Sequence, residues 1–192
     1  MASRSRFDPR LTFDDGPGPS TPALLDVLRA ASCRATFFLL GRNLASGLAV
    51  AARMAAEGHV LGNHLYTHAR PGALTPAALA EEARATDALI RQAYAMAGLA
   101  APAAIPLRLP YGAQAEDERP AILARLGRTH VGWTAMLDDW RRPAPSPQAL
   151  LQAMLDHVSS RREAVLCLHD GSRHGEARPA TVEAVRRFLA DA

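Results

Sequence analysis

The sequence has no lysine, few aromatic residues and only two cysteines. All 22 of its basic Lys-plus-Arg positions are arginine, so the GPGPS stretch has no lysine with which to form a phosphate-binding loop. Cys33 and Cys167 belong to no CxxC pair, which excludes a disulfide framework and argues against a thiolate zinc site. Aromatic residues make up 5% and the arginines are scattered, so the pattern predicts no nucleic-acid partner.

Long apolar runs are also absent. No stretch approaches the ~20 residues that would span a bilayer, so the sequence predicts no transmembrane segment. The first ten residues, MASRSRFDPR, are polar and lack the apolar core of a signal peptide. As written, the chain is expected to be cytoplasmic, or exported with its signal removed.

The 192 residues suit one domain covering 1–192, with 1–9 expected to be a flexible N-terminal segment. Short apolar runs alternate with alanine-rich helical windows, and Thr75-Pro76 and Ser146-Pro147 are typical helix starts. Repeated βα units predict an α/β fold with a parallel sheet, either barrel or open. Strands are predicted at 11–13, 35–40, 59–61, 105–109, 128–133 and 164–168. Because the chain before Leu11 is short and polar, the first strand is expected to be clipped or at an edge.

Two carboxylates stand side by side at the end of the first predicted strand, in LTFDDGPGPS. Adjacent carboxylates repel each other, so one of them usually needs a cation and the other a separate role. Asp14 and Asp15 therefore indicate a cation site at this strand end.

The stretch GNHLYTH places His64 and His68 four residues apart. On a helical turn that spacing puts both imidazoles on one face, where they can share a metal. Two solvated loop histidines are the alternative interpretation. Two histidines and one aspartate form a common catalytic zinc ligand set, which makes Asp15 or Asp14 the candidate third ligand.

Three further positions are candidates for a functional role. Arg108 in RLPYG is either a solvated turn residue or a guanidinium that keeps a carboxylate ionised. Trp140 in LDDW is either an apolar pocket wall or packing under a loop. In VLCLHDG, His169 ends an apolar strand, and strand alternation puts Cys167 on the same face.

Taken in order, TFDDGP, HLYTH, RLPY, LDDW and LCLHD resemble the five motifs of the polysaccharide deacetylases, the NodB-homology domain of carbohydrate esterase family 4. The resemblance runs from Leu11 to the last helix. It implies a distorted, incomplete (β/α) barrel with seven or eight parallel strands. It also implies a metal-dependent hydrolase that removes N-acetyl groups from a peptidoglycan- or chitin-type glycan and releases acetate.

The resemblance further implies a role for each motif residue. Asp14 would be the base, held by Arg108, and the metal ligands would be Asp15, His64 and His68. The Tyr111 backbone N–H would be the oxyanion donor, His169 the general acid, Asp139 the group that tunes this acid, and Trp140 a wall of the acetyl pocket. Cys167 is expected at the same pocket. One divalent ion is implied; the ligand set favours zinc, with cobalt or another divalent ion as alternatives. The implied partner is an acetylated oligo- or polysaccharide.

Three residues depart from the family pattern, and two other functions stay open. Leu65 replaces a hydroxyl residue, Met136 replaces an aspartate, and Cys167 replaces a leucine. One alternative is an O-acetyl esterase of xylan type, or a small cyclic amide hydrolase, using the same site. Another is a non-catalytic glycan-binding module, which Leu65 and Met136 favour. No G-x-S-x-G elbow supports a serine hydrolase.

Overall fold

A parallel five-stranded sheet forms the centre of the computed structural model, which describes residues 10–161 and 163–190. The predicted flexible segment 1–9 lies outside the described residues. The sheet has the order β3-β2-β1-β5-β4, and all its strand pairs are parallel. Its strands are β1 (Arg10–Asp14), β2 (Thr36–Leu39), β3 (Val60–Asn63), β4 (Ala135–Met136) and β5 (Val165–His169).

The first strand lies in the middle of the sheet, so the expectation of a clipped or edge strand is wrong. β1 pairs with β2 on one side and with β5 on the other, where Arg10 stands opposite Val165 and Asp14 opposite His169. Leu11 and Phe13 on one face of the strand and Thr12 and Asp14 on the other are all buried. Burial on both faces, which is typical of parallel strands covered by helices, places this short run at the centre.

Six helices accompany the described strands. The predicted starts at Thr75 and Ser146 are confirmed, because the Thr75 and Ser146 hydroxyls accept from the amides of Ala78 and Ala149. The helices are α1 (Thr21–Ala30), α2 (Gly41–Ala56), α3 (Pro76–Met96), α4 (Arg119–Arg125), α5 (Pro147–Ser159) and α6 (Pro179–Ala190).

Two predicted strands, 105–109 and 128–133, form only single bridges. Asn63 bridges Leu107, and Leu107 bridges His130, both in parallel. Pro106 has no amide hydrogen and Pro110 follows closely, which limits any longer ladder. The five strands and these two segments make seven parallel segments, and no ladder closes them into a ring within the described residues. This arrangement agrees with a distorted, incomplete barrel.

The carboxyl ends of the central strands bring the polar motif residues together. Below that edge the core is apolar, with Phe13 and Phe37 stacked at 5.2 Å between ring centroids. Asp14 ends β1 and His169 ends β5. Since parallel strands end at the same edge of the sheet, residues far apart in sequence share one cavity there. No helix in the described part of the chain is long and apolar enough to cross a membrane.

Candidate active site

A cavity of about 520 Å³ opens at this edge of the sheet. Seven of the ten predicted site residues line it: Asp14, Asp15, His64, His68, Tyr111, Trp140 and His169. The other three, Arg108, Asp139 and Cys167, are buried and contact lining residues from behind. Cys167 therefore lies outside the cavity lining, contrary to its expected place at the acetyl pocket.

Backbone conformation separates the two adjacent carboxylates. Asp14 is the last residue of β1, whereas Asp15 has a φ of 69°. This left-handed conformation is uncommon for a residue with a side chain. The Asn43 side-chain amide supports it by donating to the Asp15 carbonyl at 2.7 Å. As a result, Asp14 reaches Arg108 and Asp15 reaches His68. His64 Nε2 lies between the two carboxylates, 3.8 Å from Asp14 Oδ2 and 3.5 Å from Asp15 Oδ1.

Asp15 faces the two histidines. Its Oδ1 lies 3.5 Å from His64 Nε2 and 3.2 Å from His68 Nε2, and one ligand atom from each residue lies within 4.8 Å of the others. Asp15 Oδ1 is buried without a hydrogen-bond partner. A buried, unpaired carboxylate oxygen beside two imidazole nitrogens fits a divalent cation.

The chemistry of both histidines suits metal ligation. His64 Nδ1 lies 2.8 Å from the Arg108 carbonyl oxygen, which fixes the tautomer that leaves Nε2 as the ligand atom. For His68, burial lowers the pKa to about 4, even though Asp15 opposes the shift. The ring is therefore neutral at pH 7 and keeps the lone pair that a metal requires.

The segment holding these histidines is a loop and not a helical turn. Residues 64–68 follow β3 without helical structure, and both Leu65 and His68 have φ of 60°. Asn63 Oδ1 accepts from the Leu65 amide at 2.8 Å. Glu82 of α3 accepts from the amides of residues 66 and 67 and from the hydroxyl of residue 67. These hydrogen bonds, rather than helical periodicity, bring the imidazoles together.

Asp14 faces a buried arginine. Arg108 Nη1 donates to Asp14 Oδ1 at 2.8 Å and to the Thr12 hydroxyl at 2.8 Å. Burial raises the Asp14 pKa, but the charges of Arg108, His64 and His169 outweigh it and hold the pKa below its ordinary value. Asp14 is therefore ionised at neutral pH.

Cys167 supports Asp14 from the other side. Its Sγ donates to Asp14 Oδ2 at 3.4 Å, and burial, followed by the Asp14 charge, raises the thiol pKa well above its usual value. The thiol is therefore neutral and donates a hydrogen bond to Asp14. Because Cys reactivity requires the thiolate, Cys167 is expected to be unreactive.

His169 is held by a carboxylate. Its Nδ1 lies 2.7 Å from Asp139 Oδ1, while Asp139 Oδ2 accepts from the His169 amide and from the Thr181 hydroxyl. Burial lowers the His169 pKa, but the charge and hydrogen bond of Asp139, with help from Asp15 and Asp14, raise it to about 9. The ring is protonated at neutral pH. Since Nδ1 is bound, Nε2–H is the proton available to the cavity.

Several residues of this site were not predicted from the sequence. Trp133, Arg70 and Arg173 line the cavity, but they lie outside the segments singled out. Asp170, directly after His169, is buried and accepts from the Thr21 hydroxyl, and burial raises its pKa to about 7. A Cβ on Gly16 would lie 2.3 Å from Asp170 Oδ2, so this carboxyl packs directly against the turn after Asp15. The signal that could have identified Asp170 is its position, since this acid directly follows His169 at the end of β5.

The chain is similar to several known proteins. The family model described as polysaccharide deacetylase matches residues 8–131. A chitooligosaccharide deacetylase from Bradyrhizobium sp. (strain ANU 289) is 37% identical over 174 residues, covering 89% of this chain and 74% of the relative.

Solved structures give the same picture. A family 4 carbohydrate esterase from Streptomyces lividans, in complex with acetate, is 32% identical with a TM-score of 0.73, covering 94% of this chain and 85% of the other. A peptidoglycan N-acetylglucosamine deacetylase is 28% identical with a TM-score of 0.79, covering 98% of this chain and 82% of the other. Both likenesses extend over nearly the whole chain.

Proposed function

The chain belongs to the polysaccharide deacetylase family, and from that premise we propose that it removes N-acetyl groups from an acetylated amino-sugar glycan and releases acetate. The observation that carries the proposal is that two neighbouring carboxylates have different surroundings. Asp15 meets the two imidazole ligand candidates His64 and His68, while Asp14 pairs with Arg108. Chitin-type and peptidoglycan-type glycans are the substrate classes that the relatives' names support.

Asp15, His64 and His68 are the residues that would hold a divalent ion, and zinc suits this nitrogen and oxygen donor set. When bound, such an ion supplies a Lewis acid that polarises the acyl oxygen and makes a water molecule more acidic. Metal dependence is general in this family, and the identity of the metal belongs to the proposal.

Asp14 is the proposed general base. Ionised by its contact with Arg108, it takes a proton from the attacking water as the oxygen–carbon bond forms. The Tyr111 backbone N–H is the proposed donor to the acyl oxygen as that oxygen gains negative charge. Tyr111 lines the cavity with a φ of 65°.

His169 is the proposed general acid. Its raised pKa keeps Nε2 protonated at neutral pH, so it can deliver a proton to the sugar nitrogen as the carbon–nitrogen bond breaks. An amine is a poor leaving group without that proton, which is why a strongly supported histidine favours amide over ester cleavage. Trp140, 47% exposed at the cavity, is the proposed apolar wall for the acetyl methyl group.

Two neighbouring substitutions test the proposal. In Asp14→Asn, we expect zinc to remain bound while acetate release from N-acetylated chitotetraose falls about 10²–10⁴-fold, because the general base is lost. In Asp15→Asn, we expect both bound zinc and turnover to be lost. Metal content after desalting and an acetate assay with and without chelator give the two readouts.

Asp26→Asn is the matched control, because among the described residues Asp26 forms ion pairs at the surface with Arg29 and Arg53, away from the cavity. Circular dichroism establishes that each variant is folded. Near-normal turnover of Asp14→Asn would contradict its role as base. Zinc binding by the wild-type protein without acetate release from any acetylated sugar would favour the glycan-binding module.

A further inference from the structure

The wall of the cavity holds two arginines without a carboxylate partner. Arg70 and Arg173 both line it, and neither forms an ion pair with an Asp or Glu side chain in residues 10–161 or 163–190. Arg178, on the same lining, differs because Glu176 pairs with it at 3.2 Å. Two positive charges at the wall are therefore left without an ion-pair partner among the carboxylates that the structure describes.

Both arginines contact the Tyr111 side chain. The Arg70 guanidinium carbon lies 5.3 Å from the centroid of the Tyr111 ring, a cation–π contact. Arg173 Nη1 donates to the Tyr111 hydroxyl at 3.3 Å, and its Nε donates to His174 Nε2 at 2.9 Å. These partners orient the guanidinium groups without supplying negative charge.

None of the carboxylates that line the cavity forms an ion pair with Arg70 or Arg173. Asp14 pairs with Arg108, Glu176 pairs with Arg142 and Arg178, and Asp15 faces the two histidines. An anion that enters the cavity would therefore meet the free charges of Arg70 and Arg173 first, and a concave wall strengthens that attraction.

We propose that Arg70 and Arg173 form a subsite for a carboxylate on the glycan, borne by a sugar next to the one that loses its acetyl group. This rests on the proposed function. The Tyr111 ring also lies 4.6 Å from the His68 ring between centroids, so the subsite adjoins the proposed metal ligands. Guanidinium groups suit carboxylates because their N–H donors form a planar fork. A uronic acid and a lactyl ether are two sources of such a group.

Matched oligosaccharides test the subsite. The ligands are N-acetylated chitotetraose, the same tetrasaccharide oxidised to a carboxylate at one C6, and the same tetrasaccharide with one 3-O-lactyl group. Calorimetry with zinc-loaded Asp14→Asn protein measures affinity without turnover. We expect at least one carboxylated ligand to bind about tenfold tighter than the neutral one, since charged hydrogen bonds are the stronger kind. The tighter of the two identifies the source.

The double variant Arg70→Met/Arg173→Met, made in the same background, should bring the affinities for the carboxylated and neutral ligands to within about twofold of each other. Arg91→Met is the control, because Arg91 is an exposed α3 residue outside the cavity lining and its loss changes the charge in the same direction. Raising the salt concentration should weaken only the carboxylated ligand.

Equal affinity for all three ligands, or a preference that survives the double substitution, would overturn the subsite. A wild-type protein that releases no acetate from any of these glycans would instead overturn the proposed function. In that case the calorimetric comparison still decides the subsite, because it measures binding alone.

Discussion

At the scale of single residues, the site depends on side chains whose charge is set by one neighbour. Asp139 is such a neighbour for His169: it accepts from the ring at 2.7 Å and from the backbone amide at 2.8 Å. An opposite charge this close typically shifts a pKa by about 1–3 units. The carboxylate therefore decides whether His169 can act as an acid at neutral pH.

We expect Asp139→Asn to move the falling limb of the kcat profile to lower pH by about 1–3 units. His169 must be protonated to act, burial disfavours its charged form, and Asp139 is the main group that restores the pKa to about 9. Without the carboxylate the protonated fraction is lost at lower pH, so turnover at pH 8 should fall while turnover near pH 5.5 changes less. A pH series of acetate release gives the measurement.

The neighbouring Asp138→Asn is the control for this profile. Asp138 pairs at the surface with Arg141 at 2.8 Å and does not contact His169, so its substitution should leave the limb in place. If the falling limb of the kcat profile stays in place in Asp139→Asn, His169 is not the general acid.

At the scale of elements, helix α3 determines the shape of the metal-ligand loop. Glu82 accepts from the amides of Tyr66 and Thr67 at 3.0 and 3.1 Å, and from the Thr67 hydroxyl at 2.5 Å. These three bonds hold the chain between His64 and His68. Leu65, where the family usually has a hydroxyl, is fully buried in an apolar cluster instead.

We expect Glu82→Ala to weaken zinc affinity by about tenfold, because groups that orient metal ligands typically contribute 10–100-fold. Glu82→Gln should retain most of the affinity, since its carbonyl can accept from both amides and its NH₂ can donate to the Thr67 hydroxyl. Zinc titration against a competing chelator measures both variants.

Glu81→Ala is the matched control on the same helix. Glu81 pairs with Arg84 at 2.7 Å on an exposed surface, where such pairs contribute little. If Glu81→Ala and Glu82→Ala weaken zinc binding equally, the loss reflects helix α3 in general rather than the loop contacts.

At the scale of the whole molecule, the proposed ligands join two parts of the sheet. Asp15 follows the central strand β1, whereas His64 and His68 follow β3 at one end of the strand order. An ion held by all three would bind only the folded chain, because the unfolded chain does not keep these groups together. Metal binding should therefore raise the stability of the entire fold.

Zinc at a hundred times its dissociation constant should add about 2.7 kcal/mol to the free energy of unfolding. For a chain of this size that corresponds to a rise in Tm of about 5–10 °C. Calorimetric melting of wild-type protein with and without zinc measures the shift. Asp14→Asn should show a similar rise and Asp15→Asn almost none; equal rises in the two would place the ion elsewhere.

Much of the fold and of the candidate site could be predicted from local pattern. Apolar runs that end in Asp or His predicted which residues reach the edge of a parallel sheet, and Thr75-Pro76 predicted the start of α3. Strand order could not be predicted in this way. The length of β1 does not show that β2 and β5 pair with it in parallel, one on each side. Arg70, Arg173 and Glu82 were missed because spacing along the chain does not mark their contacts.

The sequence by itself determined the alternation of strands and helices, the starts of α3 and α5, and the set of acids and imidazoles at the strand ends. These follow from short-range chemistry that each segment carries wherever it lies. Only the tertiary structure decided which carboxylate meets which partner. Asp14 reaches Arg108 across 94 positions, while a left-handed φ turns Asp15 toward His64 and His68. The physical reason is that charge and pKa depend on distance in space, which folding sets and sequence separation does not.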